Sequence, residues 1–355
     1  MPGNINSESV YLASLAVAAP PYVVNQSEAE VFLRDHYSNI LGPRSLSKLA
    51  KIFAHPSMKM RHIAVEDLES LVNEDPDSRI DRFTKWAVEL SSQAINKAID
   101  QAGITTDEIT GLVVNTCTGY ICPGISTYLI EKLGLSAQTR IHDLVGSGCG
   151  GAVPNLQVCR DMIKGDREGV IVSVSVEICS ATFQMADNLS LIVSNAIFAD
   201  GAAASVLWSR PGKLELIASA SRCMPEYREE IRYIYRNGQL HNRLSLQLSE
   251  FASKTVAKVV MDILTPRGLK IEDIHHWAIH PGGENVINAV RDELGISEIK
   301  LQVTRNILTR YGNMSSPTVL FVLEELLHTS INSGDWCIMT AFGAGLSAHA
   351  FLLKA

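Results

Sequence analysis

AGITTDEITGLVVNTC, residues 102–117, and RGLKIEDIHHWAIHPG, residues 267–282, are two versions of one pattern. Gly103 matches Gly268, Asp107 matches Glu272, Ile109 matches Ile274 and Val114 matches Ile279, all at one offset of 165. In each copy an amphipathic stretch (WAVELSSQAINKAIDQ, FASKTVAKVVMDIL) predicts a helix before the glycine, and a short apolar run after the acidic pair predicts a strand. A second echo keeps nearly the same offset, 164: GCGGAVPNLQVCRDMIKGD from Gly148 against GNMSSPTVLFVLEELLHTSINSGD from Gly312. Each runs from glycine through a special residue and small residues into a long helix, closes on Gly-Asp, and leads to an apolar strand (VIVSVSVE, WCIMTAFG). Such duplication predicts a layered α/β chain of two pseudo-two-fold-related halves, 1–212 and 213–355. Equivalent strand ends and helix N-termini then converge on the axis.

Composition narrows the function classes. The 355 residues, 46% hydrophobic and 19% charged, suit two packed halves rather than a disordered chain. A net charge of −7 with no basic run argues against a nucleic-acid partner. MPGNINSESV has neither a basic nor an apolar region of a secretion signal, and no uncharged run reaches spanning length, so a cytoplasmic protein is expected. The seven cysteines (Cys117, Cys122, Cys149, Cys159, Cys179, Cys223, Cys337) form no CxxC pair and have no histidines at zinc spacing. They are expected to be reduced thiols, with no metal bound.

Three residues meet at the predicted axis. The second echo pairs Cys149 with Asn313, each expected at a helix N-terminus, and the first places His280 at the end of the strand WAIHPGG. A helix N-terminus and a nearby imidazole both favour thiolate over thiol, so Cys149 and His280 read as a nucleophile pair. The Asn313 amide can donate to a developing oxyanion without changing charge; it can equally serve as an N-cap. Gly146, Gly148, Gly150 and Gly151 would permit the turn and leave a substrate carbonyl free to approach the sulfur. His275 and His276, at the start of their strand, and Cys159 and Cys337, on apolar faces, read as structural.

The motifs GCGGAVPNL (148–156), VEICSATF (176–183), AIFADGAAA (196–204), IHPGG (279–283), YGNMSSPTVLFVL (311–323) and AFGAGLSAHAF (341–351) resemble, in order, those of the chalcone-synthase-like type III polyketide synthases of the thiolase superfamily. The wording is closest to bacterial alkylpyrone and alkylresorcinol synthases. The resemblance implies a thiolase-like αβαβα fold, a cytoplasmic homodimer, and acyl-CoA and malonyl-CoA as substrates with no further cofactor. It makes Cys149 the acyl carrier, His280 its base, and Asn313 the partner that holds the thioester carbonyl. Phe198 would be the gatekeeper between a CoA tunnel and a reaction cavity, with Cys117, Cys179, Thr182, Leu246, Ser315 and the turn Phe342, Gly343, Ala344 around that cavity. Cys122 would reach towards a partner's cavity.

The departures from plant members also carry expectations. Cysteines stand at 117 and 179 where those enzymes have threonine, Leu246 replaces a second gatekeeper phenylalanine, and Ala344 replaces proline. A cavity for an aliphatic starter is the resulting expectation. Lys48, Lys51, Lys59 and Arg61 are the candidates for CoA phosphates, and without them a carrier-protein-bound starter gains ground. The alternatives are a ketoacyl synthase III-like enzyme making one condensation on a carrier protein, a papain-like cysteine hydrolase, and a non-catalytic partner subunit. The duplicated halves disfavour the second, and retention of all three residues disfavours the third.

Overall fold

The computed structural model describes residues 9–236 and 239–355; residues 1–8, part of the stretch read for a secretion signal, lie outside the described residues. The first half contains β1 (Tyr11–Ala18), β2 (Val23–Asn25), α1 (Gln26–Tyr37), α2 (Pro43–Phe53), β3 (Met60–His62), α3 (Pro76–Ala102), β4 (Gly111–Asn115), α4 (Ile125–Leu133), β5 (Arg140–Leu144), α5 (Ala152–Gly165), β6 (Ile171–Ile178), α6 (Leu189–Ile197) and β7 (Asp200–Trp208). The second contains β8 (Leu214–Cys223), β9 (Ile231–Arg236), β10 (Gln239–Leu244), α7 (Leu248–Leu264), β11 (His276–Ile279), α8 (Glu284–Leu294), α9 (Gln302–Tyr311), α10 (Thr318–Thr329), β12 (Trp336–Gly343) and β13 (Ser347–Lys354).

The duplication is visible in the main sheet, ordered β11-β12-β13-β8-β1-β7-β6-β4-β5. Outward from the β8–β1 junction the two arms match: β8 answers β1, β13 answers β7, β12 answers β6 and β11 answers β4. Directions match as well, parallel for β4–β6 and β11–β12, antiparallel for β6–β7 and β12–β13. The arms pair at Tyr11↔Glu215 and Leu12↔Leu214. β5 has no twin, because the equivalent stretch of the second half is helical.

Packing follows the same symmetry. α5 touches β4 and β6 of one arm and β12 and β13 of the other, while α10 touches β11 and β12 on one side and β1 and β7 on the other. α3 covers the outer face of the first arm and α7 that of the second. Three apolar cores separate these five layers, giving the αβαβα architecture. β4 and β6 are buried along their whole length, which is why both read as nearly continuous apolar runs. The serines of β6 are satisfied internally: Ser173 donates to Asn155 Oδ1 and Ser175 to Asn115 Oδ1, both at 2.7 Å. Asn155 Nδ2 in turn donates to the Val113 and Val174 carbonyls and so pins α5 to the sheet.

The duplicated glycines end duplicated helices. Gly103 and Gly268 follow α3 and the 3-10 turn after α7 at φ 67° and 65°, where a side chain would be strained but nothing crowds it. α3 starts ten residues before its periodic stretch, because Asp75 accepts from the Asp77 and Ser78 amides and Pro76 pre-sets the first turn. α1, α2, the β2–β3 pair and α6 form a fourth apolar cluster against the first arm.

Candidate active site

Cys149 sits in a 3-10 turn (Gly148–Gly150), two residues before the α5 N-cap, and is 6% exposed. Gly146 and Gly148 supply the positive φ of that turn, 89° and 55°. The other glycines do not clear a substrate path, as the sequence suggested. They let two turns touch: a Cβ on Gly343 would lie 2.0 Å from the Ser147 carbonyl oxygen, and one on Gly151 2.6 Å from Asn115 Nδ2. The AFGAG turn therefore buttresses the nucleophile turn backbone to backbone. Ala344 packs on Gly148 in the same contact, so it does not widen a cavity.

Asn313 departs from expectation in a different way. It is not at the start of α10, whose N-cap is Pro317, but forms an isolated parallel bridge with Phe198. Its N–H donates to the Ile197 carbonyl at 2.8 Å and its carbonyl accepts from Ala199 N at 2.9 Å. Asn313 Oδ1 accepts from Ser315 N at 2.8 Å, which leaves its NH2 as the free donor. Ser315, at φ 60°, places its Oγ 3.3 Å from Cys149 Sγ and 3.6 Å from Cys117 Sγ.

His280 follows β11 and is fully buried, its backbone N–H donating to the Thr340 carbonyl. Its ring stands edge-on to Phe342, centroids 5.4 Å apart, and Phe342 in turn lies against Gly150. Neither ring nitrogen has a hydrogen-bond partner. Burial pushes the Cys149 thiol up to about 12 and the His280 imidazole down to about 3. Desolvation thus opposes the charged form of both groups, and no hydrogen bond joins them.

Two cavities lie near this centre, reached through Phe198 and the turn after His280; Cys149, His280 and Asn313 line neither. An inner one of about 60 Å³ is bounded by Cys179, Thr182, Phe198 and apolar residues of the α1 region such as Phe32 and Leu33. An outer cleft of about 740 Å³ runs along Lys51, His55, Arg243 and the Gly282–Gly283 turn beyond His280. The C-terminal end of α6 divides them, Ala196 and Ile197 facing the cleft and Phe198 the inner cavity. Leu246 lies on the open rim of the cleft, 87% exposed, and does not wall the inner cavity. The hairpin residue that does so is Asn242.

The basic candidates also separate. Lys51 lines the cleft, and exposed Lys48 and Lys59 line neither cavity. Arg61 is 7% exposed and donates to Gln26 Oε1 and to the Asn195 and Phe198 carbonyls, which makes it a staple beneath Phe198 on the wall of the inner cavity. His276 is held by Asp335 at 2.8 Å, and Cys159 and Cys337 are fully buried, all in structural positions. Cys122 is exposed.

The sequence reading passed over Glu177. This buried carboxylate accepts from the Cys117 and Thr118 amides, the Thr116 and Thr118 hydroxyls and, on its other oxygen, Ser316 Oγ at 2.7 Å. It thereby fixes the loop that carries Cys117, and burial raises its pKa. A lone glutamate ending the apolar run of β6 was the available signal. Tyr233, on the hairpin, is half-buried, and its phenol is raised well above its ordinary value by desolvation and by nearby Cys117 and Cys179.

Comparison with known proteins agrees with this architecture. The family models of the chalcone and stilbene synthases match the chain almost end to end, the N-terminal domain over residues 4–211 and the C-terminal domain over 215–355. A 3,5-dihydroxyphenylacetyl-CoA synthase of Streptomyces toyocaensis is 29% identical over 321 residues, covering 86% of this chain and 82% of that protein. The alpha-pyrone synthesis polyketide synthase-like Pks18 of Mycobacterium tuberculosis is 29% identical over 363 residues, covering 96% and 90%. Among solved structures, PKS-I of the brown alga Ectocarpus siliculosus superposes with TM-score 0.88 at 26% identity, covering 98% of both chains. The 1,3,6,8-tetrahydroxynaphthalene synthase of Streptomyces coelicolor, at 22% identity, shares the fold with TM-score 0.90 over 97% of this chain and 98% of that one. With both halves matched in order, the chain belongs to the chalcone and stilbene synthase family and is a type III polyketide synthase.

Proposed function

We propose that the enzyme transfers an acyl group from a CoA thioester to Cys149, extends it repeatedly with malonyl-CoA, and releases a cyclised product of pyrone or resorcinol type. The observation that carries this reading is the meeting, across the two arms, of one thiol, one imidazole and one amide donor, linked through Ser315 on one side and Phe342 on the other. In the first step the Cys149 sulfur attacks the thioester carbonyl while neutral His280 takes the thiol proton; CoA leaves as its thiolate and recovers that proton. Malonyl-CoA then loses CO2, and the enolate oxygen is met by the Asn313 NH2 and by the N–H that a neutral imidazole retains. The enolate carbon attacks the Cys149-bound acyl carbonyl, the sulfur leaves, and the chain is two carbons longer. Nothing in this sequence of steps requires a redox cofactor or metal.

An aliphatic starter now rests on the apolar lining of the inner cavity, since neither Leu246 nor Ala344 faces it. Lys51 on the cleft wall gives the phosphates of a CoA substrate a cationic partner. A homodimer is supported by β5, an unpaired edge strand with exposed Ile141 and Val145 after it; Asp143 of that strand holds Ser126, just beyond the exposed turn of Cys122. A monomeric mass in solution would remove the dimer from the reading. The test of the chemistry is labelled malonyl-CoA with a panel of acyl-CoAs, wild type beside Cys149→Ala. Multiply extended products from aliphatic starters, lost in the variant, are expected; products that persist without the thiol would overturn the assignment.

A further inference from the structure

We infer that Ser315 is a catalytic residue, the hydrogen-bond donor that stabilises negative charge on the Cys149 sulfur. The inference rests on Cys149 being the nucleophile. Ser315 Oγ donates to Cys149 Sγ at 3.3 Å and provides the one side-chain hydrogen bond the sulfur receives among the described residues. His280, the partner expected from sequence, makes none.

Ser315 is held for this purpose at every backbone group available. Its N–H donates to Asn313 Oδ1 at 2.8 Å, and its carbonyl accepts from Thr318 Oγ1 at 2.8 Å and from Thr318 N at 3.2 Å. Its φ of 60° is one that a residue with a side chain adopts only where the surroundings over-determine it. Glycine would fit that backbone without strain, so the hydroxyl is what the position keeps at a conformational cost. The side chain is 2% exposed, so water does not compete for the donor.

Cys117 completes the arrangement from the other side. Its Sγ lies 3.6 Å from Ser315 Oγ, and burial with the adjacent Glu177 carboxylate keeps that thiol protonated. A protonated Cys117 donates to the serine oxygen and directs the serine O–H towards Cys149. Ser315 gives up no proton in the reaction. As the Cys149 proton passes to His280, the Ser315 O–H stays intact and its hydrogen bond to sulfur strengthens. Burial opposes the thiolate, and the Ser315 hydrogen bond is the largest influence in its favour.

The experiment follows iodoacetamide alkylation of the Cys149 peptide by mass spectrometry across pH, in wild type, Ser315→Ala and Ser315→Gly, with thermal unfolding as the check on folding. A hydrogen bond to a charged group is worth enough to move the thiol by about one pKa unit, so both variants should react roughly tenfold more slowly at any pH below the thiol pKa. Their log rate–pH lines should lie about one unit higher in pH than the wild-type line. A merely structural serine predicts otherwise, because the glycine variant relieves strain and opens space and should react as fast or faster. Equal or faster alkylation of folded Ser315→Gly would overturn the inference. Product formation by Cys149→Ala would refute the nucleophile assignment instead, and the alkylation rates would still report whether the serine reaches that sulfur.

Discussion

Gly343→Ala should separate stability from catalysis in a way the two touching turns make calculable. Gly343 ends β12 with a φ outside the left-handed region, so alanine suits the backbone itself. Its Cβ, however, would sit 2.0 Å from the Ser147 carbonyl oxygen and 2.5 Å from Gly150 N, both backbone atoms of the nucleophile turn. Ordinary contact begins at 3.4 Å, so one turn must retreat by about 1.4 Å. Overpacking of this kind costs about 2 kcal/mol of stability, and a 1 Å misplacement of a reacting group costs about 100-fold in rate. Gly146→Ala is the matched control: at φ 89° with nothing within 4 Å, it suffers backbone strain of about 1–2 kcal/mol but displaces nothing. Urea unfolding should therefore show similar losses for the two variants, while kcat for malonyl-dependent product falls about 100-fold in Gly343→Ala and only a few-fold in Gly146→Ala. A folded Gly343→Ala enzyme within about threefold of wild-type kcat would refute the buttress argument.

Arg61→Ala should unfold at lower urea, with a loss of about 2–4 kcal/mol from orphaned acceptors on Gln26, Asn195 and Phe198, and leave KM for acyl-CoA nearly unchanged. Lys51→Ala should do the reverse, raising that KM about fivefold at constant stability; steady-state kinetics showing the opposite pattern would return Arg61 to the phosphate site. His280 is neutral in the fold, its pKa lowered to about 3 from an ordinary 6.5, so the unfolded chain binds the extra proton between those values. The stability associated with it is full above pH 6.5 and is lost as pH falls towards 3, reaching about 2 kcal/mol at pH 5. His349, lowered to about 4 by burial, acts in the same direction. Urea midpoints at pH 7.5 and 5 should accordingly converge in His280→Gln relative to wild type, and an equal acid loss in both proteins would contradict a neutral buried imidazole.

The fold was legible because duplication converts weak local signals into paired ones. Either amphipathic stretch alone is an ordinary helix pattern, but two ending on glycines at φ 67° and 65° predict two equivalent arms, and the sheet has them. The places of Cys149 and His280, in the turn before α5 and at the end of β11, were legible for the same reason. Periodicity reports which face a residue presents and is silent on how closely two backbones approach. The glycines of the nucleophile turn were accordingly read as space for substrate when they are contacts with Gly343 and Asn115. It is silent also on partners 100 residues away: Asn313 was placed at a helix mouth when its backbone is paired with Phe198, and Arg61 was read as a CoA-phosphate candidate when three protein acceptors surround it. Leu246 was read as a cavity residue when it stands exposed on the rim of the cleft, and the hairpin residue beside the inner cavity is Asn242.

The pairing of Phe198 with Asn313 has a mechanical consequence for how the two cavities communicate. The Phe198 N–H donates to the Ser194 carbonyl and its carbonyl accepts from Arg61 Nη1, each at 3.0 Å, while Ile197 and Ala199 on either side bond the Asn313 backbone. Moving the Phe198 backbone to open the wall would break these four hydrogen bonds, at about 1 kcal/mol each, and would pull Asn313 away from Ser315. Turning the Phe198 ring about its own side-chain bonds breaks none of them. Ring rotation therefore leaves the Asn313 amide and the Ser315 hydroxyl where they are, as a gate of the kind the family resemblance implies would require. A backbone-driven gate would dismantle the donor set each time the substrate passed.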